Sequence, residues 1–290
     1  MSGSFPAIDA NCCGVRLGPI EMDLTPRALL GYAAALGATD DVYMDDLRSG
    51  GIIGLPPFIV VPEWKIVNGE GYRTAVGMDD AGMWACLHVQ QDSVFFQPMR
   101  PGMRIATSGE ICSVRRTRIG THVATRLTTR CVRTNAQIAE SWFSGIFLNR
   151  FPNGPDCAVE HPPELLKGTI TAPPQPMLKV DRALPHLYTE ASAIWNPIHT
   201  ERARAKQAGL ADTLLHGTCT WAAAGRALID LLADGDPTRL RRLGGRFAGQ
   251  APVGTDLFLA VEPATETTSR YQVTDGQGRI ILADGTICVS

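Results

Sequence analysis

Asn196-Pro197-Ile198-His199 and, further along, His216-Gly217 are the two stretches whose residue types suit proton chemistry. A histidine titrates near neutrality, so His199 or His216 can give or take a proton. The Asn196 amide both donates and accepts hydrogen bonds. Gly217 has no side chain, so another group can come close to its backbone. Each residue also has a plain structural reading. His199 is then a buried or capping histidine, His216 orders the turn before Gly217, Asn196 before Pro197 is turn chemistry, and Gly217 is there for close packing. Trp195 reads as packing and Cys219 as part of a helical core. Arg202, Arg204 and Lys206 suit phosphates or, more simply, a solvated face. Asp40, Asp41, Asp45 and Asp46 read as a surface loop.

Helices and strands must hold these residues. The spacing predicts a helix-like region from Tyr188 to Gly209 and a second helix from Gly217 to Ala233. In the second, Trp221, Gly225, Leu228 and Leu232 share one face, with Arg226 and Asp230 paired on the other. Strands follow at Arg242 to Ala248, Leu257 to Val261, Ser269 to Thr274 and Arg279 to Ala283, with a hairpin turn at Asp275-Gly276. The first part of the chain has the same order. A helix from Pro26 to Gly37, capped by Thr25, precedes strands at Thr121 to Val132 and Ile138 to Phe147. Between the two parts lies the densest proline run, which predicts a linker. The expected organisation is 1–150, a Pro-rich linker 151–176, and 177–290.

A helix followed by antiparallel strands, twice over, predicts an α+β architecture with a helix packed on a curled sheet. Two local matches point to duplication. Pro101-Gly102 and Pro252-Val253-Gly254 each lead a strand, and Leu36 to Tyr43 lies against Ser192 to His199, with Tyr43 in the place of His199. The chain has 290 residues with Lys+Arg 27 against Asp+Glu 29. It therefore offers no basic field to nucleic acid or to an anionic membrane. No apolar run reaches the ~20 residues of a membrane helix, and Met1 to Ala10 lacks the pattern of a signal peptide. The eight cysteines include no CxxC, so neither a metal site nor a redox motif is expected. A cytoplasmic protein is the expectation.

The stretch from Tyr188 to Thr220 resembles the signature of the MaoC-like, or R-specific enoyl-CoA hydratase (hydratase 2), family. There Ser-Gly-Asp-x-Asn-Pro-[Leu/Ile]-His is followed by a His-Gly turn into a long helix. Ser192, Asn196, Pro197, Ile198 and His199 match, as does His216-Gly217. The first half resembles the degenerate N-terminal hotdog of double-hotdog dehydratases, notably at Tyr32 to Tyr43, Gly51 to Phe58 and Leu87 to Gly102. The resemblance implies a double hotdog, with a long helix against each half of one continuous antiparallel sheet. It also implies reversible addition of water to a 2-enoyl thioester of CoA or a carrier protein, without metal or redox cofactor.

In that reading His199 is the general acid/base and Asn196 its orienting partner. Gly217 donates its backbone N–H to the charge that develops on the thioester oxygen. Ile194, Trp195, His216 and Thr218 meet the substrate. The family's aspartate aligns with Ile194; Glu190, Glu201 and Asp212 are the nearest carboxylates in sequence. Two further readings stay open. One is a catalytically degenerate subunit that binds a thioester or supports a hotdog partner, as homodimer or hetero-oligomer. The other is a different base-catalysed reaction, cyclisation or isomerisation, in the same pocket. In the first half Leu55-Pro56-Pro57 stands against His216-Gly217, and proline has no N–H to donate. That half is expected to shape an acyl pocket, with Trp84, Phe95, Phe96 and Trp142 as candidate aromatics near it.

Overall fold

Thr25 accepts a hydrogen bond from the Ala28 N–H at 3.2 Å, and Pro26 takes the first helical position. This cap starts the first helix of the computed structural model, which describes residues 6–290. The first half runs β1 (Arg16–Asp23), α1 (Pro26–Ala35), α2 (Asp41–Met44), α3 (Val60–Val67), α4 (Glu70–Val76), α5 (Asp80–Trp84), β2 (Cys86–Phe95), β3 (Arg104–Thr117), β4 (Gly120–Cys131), β5 (Gln137–Leu148) and β6 (Cys157–Ala158). The second runs β7 (Gln175–Lys179), α6 (Leu184–Ser192), α7 (Pro197–Thr200), α8 (Arg202–Gln207), α9 (Gly217–Leu232), β8 (Leu240–Phe247), β9 (Asp256–Pro263), β10 (Thr268–Asp275) and β11 (Ile280–Val289).

All strands join one 11-stranded sheet in the order β1-β3-β4-β5-β2-β8-β11-β10-β9-β7, with β6 on β3. The halves meet where β2 pairs antiparallel with β8, Asp92 opposite Gly244. Continuing the sheet there leaves neither half with an open inner edge. Asp92 is buried and takes a bidentate pair from Arg242, Nε at 2.9 Å and Nη2 at 2.7 Å. In α9, Trp221, Ala222, Ala224 and Leu228 are buried against the sheet. Gly225 lets the helix come close, since a Cβ there would lie 2.6 Å from Leu243 and 3.1 Å from Pro57.

Two expectations need correction. The first half lacks a single long helix: α3 and α4 have 8 and 7 residues, against 16 in α9. The break falls at Gly69, whose ideal Cβ would lie 2.5 Å from the Lys65 carbonyl. The helix-like region from Tyr188 to Gly209 is also three pieces, α6 to α8. Ala193 ends α6 in the left-handed region at φ 54, and Pro197 forces Asn196 into extended backbone.

The proline-rich segment 151–176 is a strap rather than a free tether. It crosses the face of the sheet opposite the helices. The Val159 N–H donates to the Cys112 carbonyl at 2.8 Å, and Glu160 pairs with Arg126. Leu165 packs where Gly244 has no side chain. Arg242 donates to the Glu164 carbonyl at 3.0 Å, and the Leu166 N–H to Thr286 Oγ1 at 2.8 Å. Among the described residues no helix is long and apolar enough to cross a membrane.

Candidate active site

The loop from Ser192 to Thr200 is built by local hydrogen bonds. Ser192 Oγ donates to the Tyr188 carbonyl at 2.6 Å and accepts from the Ile194 N–H at 3.2 Å. Asn196 caps α7, its Oδ1 accepting from the Ile198 N–H at 3.2 Å, and Pro197 fills the first helical position. This one turn of helix presents His199. The imidazole is held elsewhere than expected: Nδ1 donates to the Leu214 carbonyl at 2.9 Å. Asn196 positions the backbone of the turn, and Leu214 orients the ring.

A carbonyl only accepts, so the His199 proton sits on Nδ1 and Nε2 is left as a base. Burial holds the imidazole down to about 4, so it is neutral at physiological pH. His216 stacks on it, ring centres 3.8 Å apart and planes 25° apart. His216 Nε2 lies 3.1 Å from both Thr189 Oγ1 and the Ile194 carbonyl, which fixes its proton there. Burial, and next the neighbouring His199, push His216 well below its ordinary value. The pair is therefore two neutral rings. His216 is 1% exposed and supports His199 instead of offering a polar atom to substrate.

Gly217 opens α9. As the first helical residue its N–H has no intrahelical partner, and it lies at the positive end of the longest helix. A Cβ there would lie 3.0 Å from the Phe247 ring, so glycine is what fits. His199, Gly217, Asn196, Ile194, Trp195, His216 and Thr218 all border one cavity of about 480 Å³. Trp195 is about half-exposed, Ile194 and Thr218 buried.

The first half supplies the opposite wall, with Trp64, Tyr72, Met83, Cys86, Phe143 and Leu148. Of the aromatics expected near the pocket, only Trp84 borders it. Phe96 is on the surface, Trp142 packs with Cys112 and Ala124 away from the cavity, and Phe95 belongs elsewhere in the sheet. His88, on the same wall, escaped the sequence reading. It lies in a strand start, Cys86-Leu87-His88, whose pattern carries no signal beyond a histidine among apolar residues.

Among the described residues no carboxylate borders the cavity. Glu190 is exposed, Glu201 lies 3.9 Å from Arg204, and Asp212 lies 3.3 Å from Arg202. None of the three takes the place of the missing aspartate. His199, with its Nε2 unprotonated, borders the cavity together with the apolar Ile194.

Known proteins share this architecture. Residues 167–284 match the family described as MaoC like domain, and residues 11–141 match the FAS1-like dehydratase domain region. The chain is 27% identical to 3-hydroxyacyl-thioester dehydratase Y of Mycobacterium tuberculosis over 97% of its own length and 98% of that protein. It is 33% identical to enoyl-CoA hydratase ChsH3 of the same organism, over 42% of this chain and 38% of that one. Among solved structures, a MaoC-like dehydratase from Phytophthora capsici superposes with a TM-score of 0.81 at 19% identity, covering 94% of this chain and 95% of the other. A Mycobacterium tuberculosis protein described as having a double hotdog fold gives 0.59 at 13% identity, with 96% of each chain covered. The two family matches between them take in most of both halves: a MaoC like domain over residues 167–284 and a FAS1-like dehydratase domain region over residues 11–141.

Proposed function

We propose that the protein adds water to, and removes it from, the double bond of a 2-enoyl thioester, with His199 and the Gly217 N–H as its working groups. The observation that carries this is the meeting of a neutral imidazole base and a free helix N-terminal N–H on one largely apolar cavity. His199 Nε2 takes a proton from water, and the water oxygen bonds to C3. Electron density moves to the thioester oxygen, where Gly217 and the positive end of α9 receive it. The same imidazole returns its proton to C2, so both additions come from one face. Among the described residues no carboxylate borders the cavity, so in this reading one base serves both steps.

Residues 177–290 carry the chemistry, and 1–150 provide the acyl wall. The substrate handle is CoA or a carrier protein. The eight cysteines are free, which suits a reducing compartment such as the cytoplasm.

The test is the loss of enoyl absorbance on mixing the protein with trans-2-enoyl-CoA thioesters of several chain lengths. Hydration that His199→Ala removes is the expected result; hydration indifferent to His199→Ala rejects the assignment. The acid limb of the pH profile gives a second check. Since His199 in the folded protein protonates near 4 instead of 6.5, the base form persists as pH falls through 6.5. Activity is expected to fall only as pH approaches about 4. By the same sign, the buried neutral ring favours the folded state above 6.5, and this contribution is lost between 6.5 and about 4.

A further inference from the structure

The first-half wall of the cavity is largely apolar, and two of its polar groups are already engaged or sealed. Asn68 gives its Oδ1 to Arg73, Nη2 at 3.3 Å. The Tyr72 hydroxyl is sealed in the protein. His88 differs. Its Nε2 donates to the Gln90 carbonyl at 3.0 Å, so Nδ1 is left as a lone-pair acceptor. The ring lies on Phe143, centres 4.2 Å apart and planes 29° apart, and meets Phe247 edge-on at 4.7 Å. Two aromatic contacts fix its plane. The residue keeps partial exposure, and it borders the cavity.

His88 is also close to the reacting centre. Phe247 touches it on one side and lies against Gly217 on the other. The Phe247 ring therefore lies between His88 and Gly217. Burial pushes the imidazole down to about 3. Burial also lifts the Glu63 carboxyl to about 8, with Gln91 Nε2 donating to it at 2.9 Å. A neutral acceptor in an apolar wall suits a neutral donor and rejects an anion.

We propose that His88 is a specificity residue of the acyl pocket, accepting a hydrogen bond from a hydroxyl carried on the acyl chain beyond the reacting carbons. This rests on the thioester hydratase reading and names its substrate class: a hydroxylated enoyl thioester rather than a plain aliphatic one. A site built to bond a hydroxyl discriminates strongly against the analogue that lacks it, because the acceptor is then buried without a partner.

The experiment compares trans-2-octenoyl-CoA with its counterparts hydroxylated at carbons 5 to 8. For the wild type, kcat/KM is expected to be at least about tenfold higher for one of the hydroxylated thioesters. His88→Phe keeps the ring stacking and removes the acceptor, so the ratio between the two substrates should collapse to about one. His88→Gln, which restores an acceptor, should recover part of it. A wild type without the preference overturns the proposal whatever the variants do, and so does a preference that survives His88→Phe. If none of the thioesters is hydrated, the hydratase reading falls and calorimetric binding of the same thioesters decides this one. Tighter binding of a hydroxylated thioester that His88→Phe abolishes upholds it, and equal binding rejects it.

Discussion

The cavity at the start of α9 has a counterpart at the start of the first-half helix, and the two differ in ways that show what makes a site. β8 ends in Phe247, followed by Gly249, Gln250 and Ala251 at the cavity; β2 ends in Phe95, followed by Gln97, Pro98 and Met99 at the counterpart. The first space measures about 480 Å³ and the second about 20 Å³. Glycine and alanine leave room where proline and methionine fill it. The helix starts differ too. Gly217 offers an N–H, while Pro56 and Pro57 open a 3-10 turn with none to offer. His199 has a carbonyl partner and a cavity. Tyr43, in its place, is buried in the core with its hydroxyl unpartnered. Space, a free N–H and an imidazole stand together at one end, and a filled space, prolines and a buried tyrosine at the other. A hotdog half that keeps its fold is thus free to shed its chemistry.

The comparison can be broken most directly through the base. His199→Ala is expected to lower kcat/KM for enoyl thioester hydration by about 10²- to 10⁴-fold, whereas Tyr43→Phe should leave the rate in place. A loss of rate with Tyr43→Phe would make the counterpart a second site. Next in size is an attempt to reopen the filled end. Met99→Ala should cost about 3 kcal/mol in a denaturant melt, as buried methionine truncations do. It should add no activity, because Pro56 and Pro57 at that helix start have no N–H to offer.

Ile194→Asp sharpens the account of the working end. It gives the water a second acceptor and should raise hydration by about tenfold, provided the carboxyl ionises in so apolar a place. An unchanged rate in a folded variant would mean that the single imidazole already holds the water fully. The smallest effect is at Ala193, a left-handed residue at φ 54. Ala193→Gly should raise stability by about 0.5 kcal/mol, read as a higher midpoint of thermal unfolding.

What the sequence disclosed follows the range of the forces involved. The cap at Thr25, the turn at Asn196-Pro197 and the glycine opening α9 are fixed by neighbours within four residues, so they are legible one stretch at a time. The His199 partner is Leu214, which no spacing rule connects to it. The far wall of the cavity is assembled from α3, α4, α5, the start of β2 and the end of β5, pieces scattered along the first half. That is why Trp64 and His88 went unread. Phe95 was misplaced for an instructive reason: it is the Phe247 of the filled end. The break falls at Gly69, where a side chain would meet the Lys65 carbonyl one turn earlier, a contact that hydrophobic spacing does not register.

The strap over the back of the sheet has a bearing on inheritance. Two separate but identical hotdog subunits would carry any substitution twice, once at each helix start, so no end could change alone. Segment 151–176 joins the halves in one chain and crosses from β3 and β4 to β8 and β11. It thereby removes the two-fold relation between the ends. Each end then varies independently: a proline can enter one helix start while the other keeps its glycine, and the first half can specialise in recognising the acyl group.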